Sequence, residues 1–165
     1  MFYGTYIFID GLTVHDTMWP GFMIRQSAEG ITIANSTAYD AGMGVWVAEG
    51  AGMNHRIIHN VFKDNRTFGV DVDTVNNMPD KETIIANNII SGHKSHGIEI
   101  MGNYYVIEGN VVSGNVGVCR AKPAFIFLRR MQMPKPAVFV DLFTLNYFKG
   151  TFGPSKTQLS ARDFR

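Results

Sequence analysis

The chain has 165 residues, 18% of them charged, and a formal net charge of +1. That is enough length for one domain with a true core, and the balance of charge marks no nucleic-acid or membrane partner. Its single cysteine, Cys119, excludes an internal disulfide and a multi-cysteine zinc site, and no 18-residue apolar run exists to span a bilayer.

The first stretch, MFYGTYIFIDG (1–11), has no charged n-region, no long apolar h-region and no small-residue cleavage site. It is not expected to be a signal peptide. It reads as the middle of a strand, which suggests a piece of a longer chain.

From there the chain repeats one phrase five times: DGLTVHD (10–16), ANSTAYD (34–40), HNVFKDN (59–65), NNIISGH (87–93) and GNVVSGN (109–115). Alternating apolar residues precede each copy: Ile7 and Ile9, Ile31 and Ile33, Ile57, Ile85, then Tyr105 and Ile107. A turn and a second phrase follow: GFMI (21–24), GVWV (44–47), GVDV (69–72), GIEI (97–100) and GVCR (117–120). A period near 24 residues with short alternating strands is too short for a propeller blade, and the leucine–asparagine consensus of leucine-rich repeats is missing. It predicts one coil of a parallel β-helix per repeat. Every second strand residue then points inward. Gly and Asn are expected at the sharp turns, where they tolerate left-handed backbone angles. Asn60, Asn88 and Asn110 are expected to stack into an amide ladder, left incomplete by Leu12 and Ser36 in the earlier coils. The fourth coil is the longest, and its extra residues, 74–82 (TVNNMPDKE), are expected to bulge as a loop, either walling a site or tolerated as an insertion.

After Val118 the pattern changes. GVCR aligned on its glycine puts Arg120 in the column of Ile24, Val47, Val72 and Ile100, an inward position where an unpaired charge is costly. Charge switches too. Residues 1–115 hold 6 Lys+Arg and 12 Asp+Glu (6 − 12 = −6), whereas residues 116–165 hold 9 and 2 (9 − 2 = +7). Seven of the twelve Phe lie in the tail, and MQMPKP (131–136) is a break. The expected division is 1–118 as β-helix repeats and 119–165 as a basic, aromatic C-terminal segment. Two readings of that segment stay open: an end cap, or out-of-frame translation. It contains no recognisable nucleic-acid-binding module.

The phrases IIANNIISGH and VIEGNVVSGN, each followed by a Gly-Ile or Gly-Val strand, make residues 5–118 resemble the right-handed parallel β-helix repeats of the pectate-lyase-like superfamily. The resemblance implies an all-β fold: a short right-handed single-stranded parallel β-helix of about five coils, with an irregular C-terminal segment. It further implies an extracellular polysaccharide-binding or -modifying protein, secreted or at the cell surface, acting on an acidic polymer. The superfamily includes lyases, uronan epimerases, hydrolases, tailspikes and non-catalytic surface proteins, so the fold alone does not choose among them. Neither the Asp-Pro-His-Asp motif of alginate epimerases nor the tryptophan-rich motif of pectate lyases is present.

Chemistry is expected on an outer face. The second phrase places Met23, Trp46, Asp71 and Glu99 in one outward column, and Arg25, Ala48, Asp73 and Met101 in the next. Asp71 and Asp73 should lie ~6.7 Å apart along a strand, and Asp71 and Glu99 ~4.8 Å apart across coils. Such carboxylates suit a calcium ion, a sugar ligand or acid–base work on a glycosidic bond; the alternative is a solvated acidic face. Lys94, Arg66 or His96, in the turns beside it, is the candidate base for β-elimination or epimerisation. Trp46 and Trp19 are candidate sugar platforms, each also readable as ordinary surface. His93 with His96, and His55 with His59, lack the third ligand a metal site needs. Asn35-Ser-Thr and Asn65-Arg-Thr are glycosylation sequons. The competing reading is a non-catalytic structural or adhesion module.

Overall fold

A computed structural model describes residues 1, 2, 4–73, 75, 77–122, 127 and 128. The expected break at 131–136 and most of the C-terminal segment lie outside the described residues. All the elements described are short strands, and three make a coil. The first coil is β1 (Phe8–Asp10), β2 (Thr13–His15) and β3 (Phe22–Ile24). The second is β4 (Thr32–Ala34), β5 (Thr37–Tyr39) and β6 (Val45–Val47), and the third β7 (Arg56–Ile58), β8 (Val61–Lys63) and β9 (Val70–Val72). Next come β10 (Thr83–Ala86), β11 (Ile89–Ser91) and β12 (His96–Met101), then β13 (Tyr105–Glu108), β14 (Val111–Ser113) and β15 (Gly117–Lys122), and finally β16 (Phe127–Leu128). Every third strand pairs in parallel, which gives three sheets. Their orders are β1-β4-β7-β10-β13-β16, β2-β5-β8-β11-β14 and β3-β6-β9-β12-β15. This is the parallel β-solenoid that the repeats predict.

Alternation builds the core. The first sheet sends Ile9, Ile33, Ile57, Ile85 and Ile107 inward, and the second sends Ala38, Phe62, Ile90 and Val112. The third sheet contributes two inward columns, Phe22–Val45–Val70–Ile98 and Ile24–Val47–Val72–Ile100. Corner residues in the left-handed region stack as well. Gly11, Asn35, His59, Asn87 and Gly109 (φ 67°, 48°, 57°, 56° and 65°) end the first sheet, and Asp16, Asp40, Asp64, Gly92 and Gly114 end the second. Asp shares this work with Gly and Asn because a short polar side chain tolerates that backbone. Gly44 and Gly69 are needed for a different reason. A Cβ on Gly44 would lie 2.8 Å from the Phe62 ring, and one on Gly69 would lie 2.4 Å from Ile90, so their requirement is space.

Two polar ladders tie the coils together. In the first, the side-chain amide oxygen of each rung accepts the backbone N–H of the coil before it: Asn60 from Ser36, Asn88 from Asn60 and Asn110 from Asn88, each at 2.9 Å. The amide nitrogens donate back to the carbonyls of Ile33, Ile57 and Ile85. Ser36 extends this ladder rather than breaking it, because its hydroxyl accepts the Leu12 N–H at 3.1 Å and donates to the Ala34 carbonyl at 2.7 Å. The second ladder sits five residues later. Asn65 Oδ1 accepts from Ala41, His93 Nδ1 from Asn65 and Asn115 Oδ1 from His93.

One register differs from the sequence alignment. In β15 the backbone of Arg120 lies opposite Glu99, with Cys119 opposite Ile98 and Ala121 opposite Ile100. The backbone of Arg120 is therefore in register with the column of Glu99, not with that of Ile100, and the pairing runs on to Lys122. The coil is one residue out of step because its turn is shorter. Gly117 pairs with His96, which leaves Val118 in the column of the earlier glycines.

The long fourth coil does more than bulge. Met78 and Lys81 form an antiparallel bridge, Val75 is buried in the core, and Lys81 reaches Glu29 at 3.2 Å.

Candidate functional site

The third sheet carries the acidic residues. Its register sets Met23 beside Trp46, Trp46 beside Asp71, Asp71 beside Glu99 and Glu99 beside Arg120. Asp73 follows one step past β9, its N–H donating to the Val47 carbonyl. The structure thus brings Trp46, Asp71, Asp73 and Glu99 onto one face, and the alternation of β6, β9 and β12 is what turns them outward.

Outward does not mean exposed here. Asp71 keeps 8% of its surface and Glu99 6%. Among the described residues no donor hydrogen-bonds the Asp71 carboxyl. Burial pushes its pKa from 3.8 up to about 7, and the neighbouring charges of Asp73 and then Glu99 push the same way. Each of those neighbours has its own partner. The Trp46 indole N–H donates to Asp73 Oδ2 at 3.0 Å, and His96 Nδ1 lies 3.6 Å from Glu99 Oε2. His96 is held further by Ser95 Oγ at 3.2 Å and by the parallel Phe68 ring, 6.1 Å between centroids. Tyr105, buried behind the face, donates its hydroxyl to the Met101 carbonyl at 2.6 Å; burial raises its pKa, with Asp73 adding to the effect.

Of the three candidate bases only His96 reaches this cluster. Lys94 and Arg66 stand exposed at the corner before the third sheet, and among the described residues neither pairs with Asp71, Asp73 or Glu99. Arg66 instead points Nη1 at Met18 Sδ, 2.7 Å away. Trp19 is on the same corner, 70% exposed, one coil from the Trp46 junction.

The carboxylates are not gathered around one point. Asp73 turns to Trp46 and Glu99 to His96, and among the described residues no three His, Cys, Asp or Glu groups could share a metal ion.

Sequence reasoning missed the roles of His93 and His55. His93 is a rung of the second ladder, and His55 Nδ1 accepts the Ile31 N–H at 3.3 Å. Burial lowers the pKa of each to about 4. The available signal was arithmetic: 65, 93 and 115 follow 60, 88 and 110 by five. Asn65 is fully buried in that ladder, so its sequon is closed in the folded chain, while the Asn35 side chain is exposed.

A comparison with curated proteins finds no match, and neither does one with solved structures. The family model described as a right handed beta helix region matches residues 1–122. The chain belongs to that right-handed β-helix family.

Proposed function

We propose that the outer face of the third sheet binds an acidic polysaccharide outside the cell and moves a proton on it in lyase or epimerase fashion. The observation that carries this is Asp71, a carboxyl with a pKa of about 7 set between Trp46 and the His96–Glu99 pair. A group that gains and loses its proton near neutrality suits general acid–base catalysis. In its neutral form Asp71 can donate a hydrogen bond to a uronate carboxylate without adding a third negative charge. His96, with Nδ1 toward Glu99, has Nε2 available as the base. In β-elimination the base takes the ring proton beside the carboxylate, that C–H pair becomes the C=C bond, and the glycosidic C–O bond breaks with its oxygen taking a proton from Asp71. In epimerisation the glycosidic bond stays intact and the Asp71 proton goes instead to the carbanion, on the face opposite the one His96 deprotonated. Trp46, fixed by Asp73, offers a ring for sugar stacking. Arg25 at one end of these columns, and Arg120 and Lys122 in register at the other, place cationic residue types beside the acids, as an anionic polymer requires.

The test is incubation with polygalacturonate and alginate while following the ultraviolet absorbance of the unsaturated uronate. Activity that vanishes in Asp71→Ala and in His96→Ala supports the reading. Oligosaccharide binding without any product leaves a binding module. A second reading, a non-catalytic structural or adhesion β-helix, is favoured by the 8% and 6% exposure of Asp71 and Glu99. It expects no product, and no rise in melting temperature with either polymer.

A further inference from the structure

We propose that His93 and His55 are acid-labile rungs: each neutral imidazole holds a backbone N–H of the preceding coil, and protonation releases that hold and opens the stack at two adjoining junctions. In the second ladder a rung must present an acceptor toward the coil before it. Asn65 and Asn115 do so with Oδ1, and His93 does so with Nδ1, 3.1 Å from the Asn65 nitrogen. His55 does the same for Ile31 one junction earlier. An imidazole nitrogen accepts a hydrogen bond only when it carries no proton, so both rings must be neutral with the proton on Nε2. Both Nε2 atoms are buried with no hydrogen-bond partner among the described residues.

An asparagine rung has no proton to gain near neutrality. A histidine rung does, and the gain has two consequences. The new N–H meets the backbone N–H it used to accept, and a positive charge appears at a site with 0–1% exposure. The surrounding groups do not rescue it. Around His93, the backbones of Phe62 and then Asn65, and the Asp64 carboxylate, favour the charged ring but are outweighed by burial. Gly69, on β9's side, is neutral, and Lys63, Arg66 and Lys94 are exposed. Around His55, the Gly52 carbonyl and Glu29 favour the charge, yet Glu29 already pairs with Lys81, Arg56 is exposed, and burial again dominates. His55 joins the second coil to the third, and His93 joins the third to the fourth, so acid acts on the middle of the stack.

The experiment is an acid titration of the full chain, followed by far-ultraviolet circular dichroism, for the native protein, His93→Asn, His55→Asn and the double variant. Asparagine keeps the acceptor and removes the proton site. The expected result is cooperative loss of β signal in the native chain as pH falls from 6 toward 4, with the midpoint lowered by ~1 pH unit in His93→Asn and further in the double variant. His15→Asn, at an exposed ring, should leave the midpoint where it was. An unchanged midpoint in the double variant overturns the proposal. If the variants do not fold, ring-nitrogen NMR of the native chain decides. Two histidines fixed with the proton on Nε2 and neutral to about pH 4 support it; two rings carrying it on Nδ1 refute it.

Discussion

Trp46 and Asp73 are locked across a coil junction, the indole N–H on the Oδ2 oxygen at 3.0 Å, while Asp71 between them lies directly opposite Trp46 in the register. The bond fixes the ring plane at the acidic column and spends part of the Asp73 charge on a donor. Trp46→Phe keeps an aromatic ring and loses the bond. It should lower stability by about 1 kcal/mol, the typical net worth of one such hydrogen bond, and weaken oligosaccharide binding measured by calorimetry.

Asp73→Asn addresses Asp71. It removes the first of the two charges that raise the Asp71 pKa but leaves burial, the largest cause, in place. The Asp71 carboxyl should then titrate below 7 yet above the ordinary aspartate range. Carboxyl carbon NMR reads this directly, and any pH–activity profile should shift the same way.

The pH dependence of stability follows from three groups. His93 and His55 have folded pKa values near 4 against 6.5 unfolded. Between those values the unfolded chain binds two more protons, so stability is full above 6.5 and is lost as pH falls. Asp71 has the opposite sign: at about 7 folded against 3.8 unfolded, it binds one more proton in the folded chain over that range, and its contribution is lost as pH rises. The net is one proton, so these groups together should make stability rise by roughly 1.4 kcal/mol per pH unit between 4 and 6.5. Replacing both histidines by Asn should reverse the slope, because Asp71 then acts alone. Urea unfolding at several pH values measures it.

Asn88→Ala should be among the most damaging single changes. It removes the acceptor of the Asn60 N–H and of the Asn60 side-chain amide, and takes a donor from the Ile57 carbonyl, all inside the stack. With each buried unsatisfied group costing about 1–3 kcal/mol, a loss of roughly 3 kcal/mol or more is expected. Ser36→Ala strands only the Leu12 N–H, at the part-buried end of the ladder, and should lose about a third as much by the same measure. Thermal denaturation of the two variants side by side checks the ratio.

Gly69→Ala should destabilise by about 1–3 kcal/mol, because the added methyl runs into Ile90, the Gly97 carbonyl and the His93 ring. Gly50→Ala meets no atom within 4 Å and carries only the strain of its φ of +78°, so it should melt above Gly69→Ala.

The coil architecture was legible because the inward columns are isoleucine and valine at fixed offsets, and because Asn60, Asn88 and Asn110 share a column. The second ladder was harder to read: its rungs are Asn65, His93 and Asn115, and a lone histidine among asparagines does not look like a repeat. What unites them is an acceptor at the right height, which residue identity does not spell out. Arg120 was misplaced because the last phrase was anchored on Gly117. At Gly21, Gly44 and Gly69 that column is crowded by Ala38, Phe62 and Ile90, and in the last coil Val118 holds the position in the register. The acidic face was legible as a column. The burial of Asp71 was not, because it arises from neighbours on other coils, and that burial is what moves its pKa.

The asparagine ladder has a consequence for how the chain reaches this state. Asn60 and Asn88 each bond the coil before them and the rung after them, so each coil is checked against its neighbours by directional bonds. A coil that slipped one residue toward the C-terminus would present Val61, Ile89 or Val111 where an amide oxygen is needed. The ladder therefore acts as a proofreader of register during assembly, and a lesion at one rung should be felt as a misassembled remainder of the chain rather than as a local loosening.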